Sequence, residues 1–293
     1  MRVIIIGDTH IDEGSIPELK AIFEEVFQQK GDMLIHLGDF FDKCRPTPAE
    51  LKFGAEVVSR AKKLYKKVVI LSGTGRHNWL NDVSVIEFFK YMGITPKGVD
   101  FDTEINGKKC LFGHFFTNQS KLEYGTAITT VSKLRAKYDI VLLGHQHQPQ
   151  KITKTIYHLG SVRHVGWNEV GDVKMFAILE DGELQMKMIF NAIHMRDVWS
   201  PDDLLSIDPN TKVRLVISKW EDYKKWVNDF PKWEKKFKQF KVKTEYQNVA
   251  TICKSAKQQL TSNLKDFVAQ WLTKVKEKEV LTFLKNRFNE EGL

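Results

Sequence analysis

The sequence predicts an α/β fold in which helices pack on the outside of two β-sheets. Two observations support this expectation. Short β-branched apolar runs alternate with helical segments in the first half of the chain, and the later part is richer in strands. With 293 residues, the chain is long enough for one large domain together with a smaller one. We therefore expect a two-sheet α/β sandwich followed by a small α+β module.

Each element follows from a local pattern. Apolar and β-branched runs predict strands, which are 3–6, 33–37, 67–71, 99–103, 109–112, 140–143, 155–158, 173–179, 183–190 and 212–218. Apolar residues at helical spacing predict helices, which are 16–30, 48–65, 83–92 and 129–137. The pairs Asn106-Gly107 and Asp181-Gly182 are typical of hairpin turns.

A domain boundary is predicted near residue 200, where a stretch rich in proline and aspartate begins and the charge balance changes. Residues 1–210 carry 26 Lys/Arg and 27 Asp/Glu, whereas residues 211–293 carry 19 and 10. We predict a catalytic domain over 1–198, a small basic module over 199–261 and C-terminal helices over 262–293. The basic excess indicates a polyanionic partner, nucleic acid being favoured over a merely solvated lysine-rich surface.

Two features exclude or disfavour other classes of protein. No run of about 18 apolar residues occurs, so no membrane span is expected. The three cysteines, Cys44, Cys110 and Cys253, are odd in number and far apart, which is typical of reduced thiols. We therefore expect a cytoplasmic protein without membrane association.

Five histidines and two aspartates follow directly after apolar strands. Loops that leave the same edge of a sheet converge on one crevice, so these side chains are expected to meet. A single histidine at a strand end usually serves packing, but seven such residues are hard to assign to packing. Carboxylate and imidazole suit manganese, iron or zinc better than magnesium or calcium alone. The residues are Asp8, His10, Asp39, His77, His114, His145 and His147.

These residues and their spacing resemble the calcineurin-like metallophosphoesterase superfamily. Its pattern reads D-x-H, G-D-x-x-D, G-N-H-D/E, a lone histidine and G-H-x-H, and the resemblance extends to about residue 190. It implies two divalent metal ions, manganese first, with magnesium, iron or zinc also compatible. The implied ligands of the first ion are Asp8, His10, Asp39 and His147. Asp39 would bridge to a second ion that His114 and His145 also hold.

The resemblance also implies roles for two further residues. His77 corresponds to the histidine that helps to protonate or stabilise the leaving oxygen. Asp42, in Gly38-Asp39-Phe40-Phe41-Asp42, would orient metal ligands, or would simply cap its loop.

The third motif departs from the family pattern, because Arg76 stands where the family has a metal-binding asparagine. Arginine has no lone pair to offer a metal. Three interpretations remain open. Thr74 or Asn78 supplies the missing oxygen, Arg76 turns outward and binds the substrate phosphate, or the second metal ion is bound weakly.

Residues 156–176 resemble the stretch after the last metal motif in the nuclease subunit of SMC-like ATPase–nuclease repair complexes, the SbcD-like and phage recombination type. The match is partial, because Leu159 is extra and Met175 replaces a glycine. By this resemblance Arg163 borders the site as a substrate contact. The resemblance also implies DNA as substrate, a coiled-coil ATPase partner and a homodimer.

The basic module corresponds to the capping domain of that nuclease group. Its lysines, Lys235 and Lys236 among them, are predicted to contact DNA phosphates without reading sequence. Its aromatic residues are interpreted mainly as the module's own core. The helices at 262–293 would dock on the ATPase partner or pack on their own domain.

We therefore expect a metal-dependent DNA exonuclease or endonuclease subunit in DNA repair, recombination or replication. One alternative is a stand-alone phosphodiesterase or phosphatase for small molecules, which would turn over nucleotides and show no affinity for DNA. The other is a DNA- or partner-binding pseudoenzyme, which would bind without hydrolysis.

Overall fold

The computed structural model describes residues 1–121 and 126–245 of the chain. The strands of these residues are β1 (Arg2–Ile6), β2 (Met33–His36), β3 (Lys67–Ile70), β4 (Trp79–Leu80), β5 (Val83–Ser84), β6 (Asp100–Ile105), β7 (Lys108–Gly113), β8 (Phe116–Thr117), β9 (Ala127–Thr129), β10 (Ile140–Leu143), β11 (Gln150–Lys151), β12 (Ile156–His158), β13 (Met175–Glu180), β14 (Glu183–Met188), β15 (Met195–Val198), β16 (Lys212–Ile217) and β17 (Gln239–Thr244).

Fewer of the described residues lie in α-helices than in strands. The α-helices of the described residues are α1 (Ile16–Phe27), α2 (Pro48–Leu64), α3 (Gly75–Asn78), α4 (Val131–Lys137), α5 (Trp220–Trp226) and α6 (Phe230–Lys236). Short 3-10 segments lie at Glu13–Ser15, Val85–Met92, Trp167–Glu169, Pro201–Ser206 and Val227–Asp229. Among the described residues, none of the helices combines the length and the apolar character that crossing a membrane requires.

Two five-stranded sheets form the centre of the fold. The first has the strand order β14-β13-β1-β2-β3, and the second has the order β11-β12-β10-β7-β6. Strands β1, β2 and β3 run parallel in the first sheet, as do β7, β10 and β12 in the second. The carboxyl ends of each parallel set therefore open onto one edge of their sheet.

Alternating side chains explain the layering. In β1, Val3 and Ile5 belong to an apolar cluster that also contains Phe112 and Leu142 of the second sheet. The residues in between, such as Ile4, pack with α1 and α2 instead. Since successive strand residues point to opposite faces, one continuous apolar run serves both layers. Helix α4 covers the outer face of the second sheet. The predicted two-sheet α/β sandwich is confirmed.

One predicted helix has a different form. Residues 83–92 were expected to be a single helix, but Val83 and Ser84 pair with Trp79–Leu80 as a hairpin, and a 3-10 helix follows at Val85–Met92. The turn between the two strands uses Asn81 and Asp82, both with positive φ. Asparagine and aspartate tolerate this conformation better than other side chains do, which favours the hairpin.

The chain divides into two compact units. The first contains Met1–Asp197, Ile207–Val213 and Phe237–Gln239, and the second contains Val198–Ser206, Arg214–Lys236 and, within the described residues, 240–245. This division differs from the linear one predicted at residues 198 and 261, because Lys212 belongs with the first unit. Its backbone N–H donates to the carbonyl of His194 at 2.9 Å, and its ammonium group binds Glu18 at 3.0 Å. The predicted helices at 262–293 lie outside the described residues.

Aromatic side chains form the interior of the second unit. Phe230 lies 5.8 Å from Trp233, and Trp233 lies 5.7 Å from Phe240, measured between ring centroids. Trp233 is buried. Helices α5 and α6 are separate because Pro231, which cannot continue a preceding helix, stands at the start of α6. These contacts favour the interpretation of the aromatic residues as a core.

Candidate metal centre

The loops at the carboxyl ends of the parallel strands bring together all seven residues that the sequence singled out. Their ligand atoms form three overlapping groups, each with all its atoms within 4.8 Å of one another. The groups are Asp8, His10 and His147; His10, Asp39 and His77; and Asp39, His114 and His145.

In the first group, two imidazole nitrogens and a carboxylate oxygen face one point. The Nε2 atoms of His10 and His147 are 2.9 Å apart. They lie 3.9 Å and 3.8 Å, respectively, from Oδ2 of Asp8. Both oxygens of the Asp8 carboxylate also accept the backbone N–H of His145, Oδ1 at 3.2 Å and Oδ2 at 3.1 Å. Carboxylate and imidazole in this arrangement suit a transition-metal ion.

Asp39 is shared by the second and third groups, and it lies beside His10, which the first and second groups share. Its Oδ1 accepts hydrogen bonds from the backbone N–H of Thr74 at 2.8 Å and from Nδ2 of Asn78 at 2.6 Å. Its Oδ2 lies 3.2 Å from Nε2 of His114 and 3.8 Å from Nε2 of His10. Because Oδ1 already accepts these hydrogen bonds, Oδ2 is the oxygen that would be available to a metal ion.

Two of the candidate ligand histidines, His114 and His147, are held by a contact at their second ring nitrogen, and that of His10 faces a carboxylate without a hydrogen bond. Nδ1 of His114 donates to the carbonyl oxygen of Leu37 at 2.8 Å, and Nδ1 of His147 binds Oε1 of Glu169 at 3.0 Å. Nδ1 of His10 lies 3.4 Å from Oδ1 of Asp42. Each contact turns the Nε2 atom toward the centre, which is the usual arrangement around a bound metal.

Burial governs the electrostatics of the centre. Burial raises the pKa of the Asp8 carboxyl group, although His114 acts in the opposite direction. Burial, with a smaller contribution from His114, lowers the pKa of His145 to about 3. At His114 burial acts to lower the pKa, but the carboxylates of Asp39 and Asp8 outweigh it and raise the pKa to about 9. The buried carboxylates therefore attract positive charge, which a divalent cation supplies. The donor set fits a metal.

The backbone at the centre is strained. His10, Asp39 and His145 have φ values of 44°, 46° and 75°. Positive φ costs a non-glycine residue roughly 1–2 kcal/mol. Such conformations persist where the surrounding structure enforces them, and they cluster at functional sites. Three strained ligands in one centre indicate that geometry of the ligands takes precedence over local backbone preference.

Gly73 allows a close approach that no side chain would permit. A Cβ atom at this position would lie 1.7 Å from Oδ1 of Asp39 and 2.5 Å from Nδ2 of Asn78.

We predict that Gly73→Ala displaces the Asp39 carboxylate, lowers the free energy of unfolding by about 1–3 kcal/mol as overpacking does, and weakens metal binding. Urea denaturation and manganese titration measure the two effects. Gly98→Ala is the matched control, because nothing lies within 4 Å of its Cβ position. Equal behaviour of both variants would contradict the prediction.

His77 belongs to the second group, and Asp42 lies beside it and beside His10. Nδ1 of His77 donates to the backbone carbonyl of Asp42 at 2.6 Å, and the ring lies edge-on to His10 at 4.8 Å between centroids. His77 is partly exposed, unlike the buried His10. A ring that is held through Nδ1 and reaches solvent can exchange a proton through Nε2.

Sequence reasoning did not assign Glu169 and Lys174 to the centre. Glu169 is fully buried, and its Oε2 accepts hydrogen bonds from Lys174 at 2.5 Å and from the Ser161 hydroxyl at 3.0 Å. Although burial acts to raise the pKa of Glu169, His147 and Lys174 hold it well below its usual range. The one available signal was the partial resemblance of residues 156–176 to the nuclease stretch, which contains these residues.

The predicted substrate-binding residues have different surroundings. Arg163 is buried, and its guanidinium donates to the carbonyl oxygens of Thr9 and His10 and to the Asp12 carboxylate. It thus supports the first metal-binding loop, and a substrate contact would require some of these bonds to break. The side chain of Arg76 lies outside the described part of the structure.

Lys235 and Lys236, the two predicted phosphate-binding lysines, both lie on helix α6 of the second unit. Lys235 is exposed on α6, and the ammonium group of Lys236 donates to the carbonyl oxygen of Leu204 at 2.6 Å. The structure thus leaves Lys235 accessible to a partner.

His36 has a structural role beside the centre. Its Nδ1 accepts the backbone N–H of Gly38 at 3.2 Å, and its Nε2 lies 3.0 Å from the hydroxyl of Thr9. That hydroxyl donates to the carbonyl of Phe40 at 2.7 Å, so Nε2 of His36 is the donor to Thr9. The ring therefore joins the loops that carry Asp8 and Asp39.

Comparison with known proteins agrees with this centre. Residues 1–149 match the family model of the calcineurin-like phosphoesterases, about half of the chain. The chain belongs to this family, whose members bind divalent metal ions. No curated protein matches the sequence.

Several solved structures have a similar fold at low sequence identity. A novel archaeal phosphodiesterase has 18% identity and a TM-score of 0.43, covering 64% of this chain and 99% of its own. Vps29 from Entamoeba histolytica in complex with zinc has 16% identity and a TM-score of 0.40, covering 64% and 98%. A single mutant of the same Vps29 has 15% identity and a TM-score of 0.41, with the same coverage.

Proposed function

We propose that this protein is a metal-dependent DNA nuclease, acting as an exonuclease or endonuclease subunit beside an SMC-like ATPase in DNA repair, recombination or replication. The observation that carries the proposal is the contact between His147 and Glu169. Glu169 belongs to the stretch that resembles the nuclease subunits, and it holds a ligand of the metal centre. The excess of positive charge in residues 211–293 supports a polyanionic substrate.

The chemistry would be hydrolysis of a phosphodiester. Two divalent ions, manganese first, would be held by Asp8, His10, His147 and Asp39 and by Asp39, His114 and His145. When bound, they supply charge neutralisation at the phosphate and an activated water. His77, held by the Asp42 carbonyl, delivers a proton to the leaving sugar oxygen through its exposed side. Lys235 and Lys236 of the second unit, together with Arg76, are proposed to bind phosphates.

The partners are part of the proposal. By the same resemblance the protein works as a homodimer and joins a coiled-coil ATPase through residues 262–293. Contacts of lysine with phosphate are nonspecific and salt-sensitive, so DNA affinity should fall steeply as salt rises.

An assay with end-labelled linear DNA and manganese tests the proposal. We predict that the wild-type protein cleaves the DNA and that His77→Ala lowers the rate constant about 10²–10⁴-fold, the usual contribution of a positioned acid. His194→Ala is the matched control, because the His194 side chain is exposed and not among the metal-binding groups. The control should cleave DNA at the wild-type rate.

Two outcomes would contradict the proposal in different ways. Breakdown of a small phosphodiester without cleavage of DNA would favour a stand-alone phosphodiesterase. Binding of DNA without turnover of any phosphoester would favour a pseudoenzyme.

A further inference from the structure

We infer that the side chain of Asn78 takes the place of the missing asparagine in the third motif, as the amide ligand of the second metal ion. The family places this asparagine directly before the motif histidine, where this chain has Arg76. The inference concerns the two-metal part of the proposed function and does not depend on DNA as the substrate.

Asn78 lies against the bridging carboxylate. The four-residue helix α3 ends at Asn78, and Nδ2 of this residue donates to Oδ1 of Asp39 at 2.6 Å. The residue is completely buried. The sequence shift of two positions therefore still delivers a side-chain amide to the carboxylate that serves both ions.

The oxygen of this amide has no hydrogen-bond partner among the described residues. A buried carbonyl oxygen without a partner is rare and costs about 1–3 kcal/mol. Exchanging the positions of the amide oxygen and nitrogen would not remove this cost. The amide oxygen would then lie where Nδ2 lies now, 2.6 Å from Oδ1 of Asp39, and the two oxygens would repel each other. The oxygen thus points away from that carboxylate oxygen, free to bind a cation.

A second unpaired atom lies around the same carboxylate. Nε2 of His114 is also buried without a hydrogen-bond partner in the described structure, and it lies 3.2 Å from Oδ2 of Asp39. Asn78 and His114 both contact the Asp39 carboxylate, and each carries a buried polar atom with no hydrogen-bond partner in the described structure, as is expected where an ion belongs. With Asn78 the second set contains one carboxylate, two imidazoles and one amide oxygen, which suits manganese, iron or zinc.

Thr74 fits the role less well. Its hydroxyl lies 3.4 Å from Oδ1 of Asp39 as a donor, and the residue is partly exposed, so water can satisfy its oxygen. The hydroxyl oxygen of Thr74 is therefore not a buried atom without a partner, whereas the amide oxygen of Asn78 is.

Counting bound ions tests the inference independently of catalysis. Manganese is titrated into the metal-free protein, with bound ions counted by electron paramagnetic resonance, which also detects coupling between neighbouring ions. We expect two coupled ions in the wild type. Asn78→Leu, which keeps the volume and removes both polar atoms, should bind one ion tightly and the second at least about tenfold more weakly, with the coupled signal lost.

Three further variants sharpen the test. Asn78→Asp keeps an oxygen ligand and should retain two ions, and Thr74→Val should retain two as well. Circular dichroism of the metal-free variants verifies folding, and Asn78→Ala replaces the leucine variant if that one does not fold. Two ions at wild-type affinity in the leucine or alanine variant would overturn the inference. A single ion in the wild type, or loss of the second ion in Thr74→Val alone, would overturn it too.

Discussion

Asp39→Asn is expected to abolish hydrolysis and to empty both metal positions together. Oδ2 of Asp39 faces His114 at 3.2 Å and His10 at 3.8 Å, so it belongs to both ligand groups. The amide would keep an acceptor for Thr74 and Asn78, but its NH₂ group would then face the two imidazoles in place of the bridging oxygen. The variant also removes one of two buried negative charges that attract the cations.

The expected loss is large, because bound metals contribute several kcal/mol of transition-state stabilisation. We predict a fall in the rate constant of about 10³-fold or more and fewer than one bound manganese per chain. Phosphodiesterase assays and metal analysis after gel filtration give the two quantities, and circular dichroism separates loss of metal from loss of fold. Asp100→Asn, at an exposed strand position, is the control. Retention of two ions by Asp39→Asn would contradict the bridging role.

Lys174→Met is expected to have the largest effect on stability. Lys174 and Glu169 are both buried, and the ammonium group lies 2.5 Å from Oε2 of the glutamate. Removing one member of a buried ion pair leaves the other charge uncompensated, which costs about 3–5 kcal/mol. We predict a loss of this size in the free energy of unfolding measured by urea denaturation, while Lys187→Met, at an exposed position, should change little.

A double variant separates stability from function. In Lys174→Met combined with Glu169→Gln, no buried charge is left alone, so most of the lost stability should return. The neutral glutamine would still accept from Nδ1 of His147, but without the charge that strengthens this contact. Manganese affinity should therefore stay about 10-fold or more below wild type, the loss typical of outer-shell changes. A single variant that loses less than about 1 kcal/mol would show that Glu169 is compensated by other groups.

The convergence of the candidate metal ligands could be predicted because their signal is local. Asp8, Asp39 and His114 each follow an apolar strand, which places Asp8 and Asp39 at the carboxyl edge of the first sheet and His114 at that of the second. Glu169 lacked such a signal, since it reaches His147 across 22 positions of sequence and its role depends on the loop that brings them together.

Other features were visible in three dimensions only. The sequence left Thr74 and Asn78 as equal candidates for the missing oxygen, and the burial of Asn78 with its unpaired atom distinguishes them. The resemblance to the nuclease stretch implied that Arg163 is a substrate contact, but in the structure its guanidinium donates to the backbone carbonyls of Thr9 and His10. Residues 207–213 belong to the first unit, where the backbone of Lys212 bonds to that of His194. The amino-acid composition of this segment does not predict that contact.

The position of β1 between β2 and β13 has a consequence for how the molecule is assembled during synthesis. Ile4 pairs with Leu34 on one side, but on the other side it pairs with Ile178, which leaves the ribosome long afterwards. Until β13 has been synthesised, the side of β1 that pairs with it has no partner strand. Until Glu169 has been synthesised, Nδ1 of His147 lacks the carboxylate that it contacts. A nascent chain that ends just after His147 contains every candidate ligand residue but neither support. The metal centre is therefore completed late, as closure of a long loop requires.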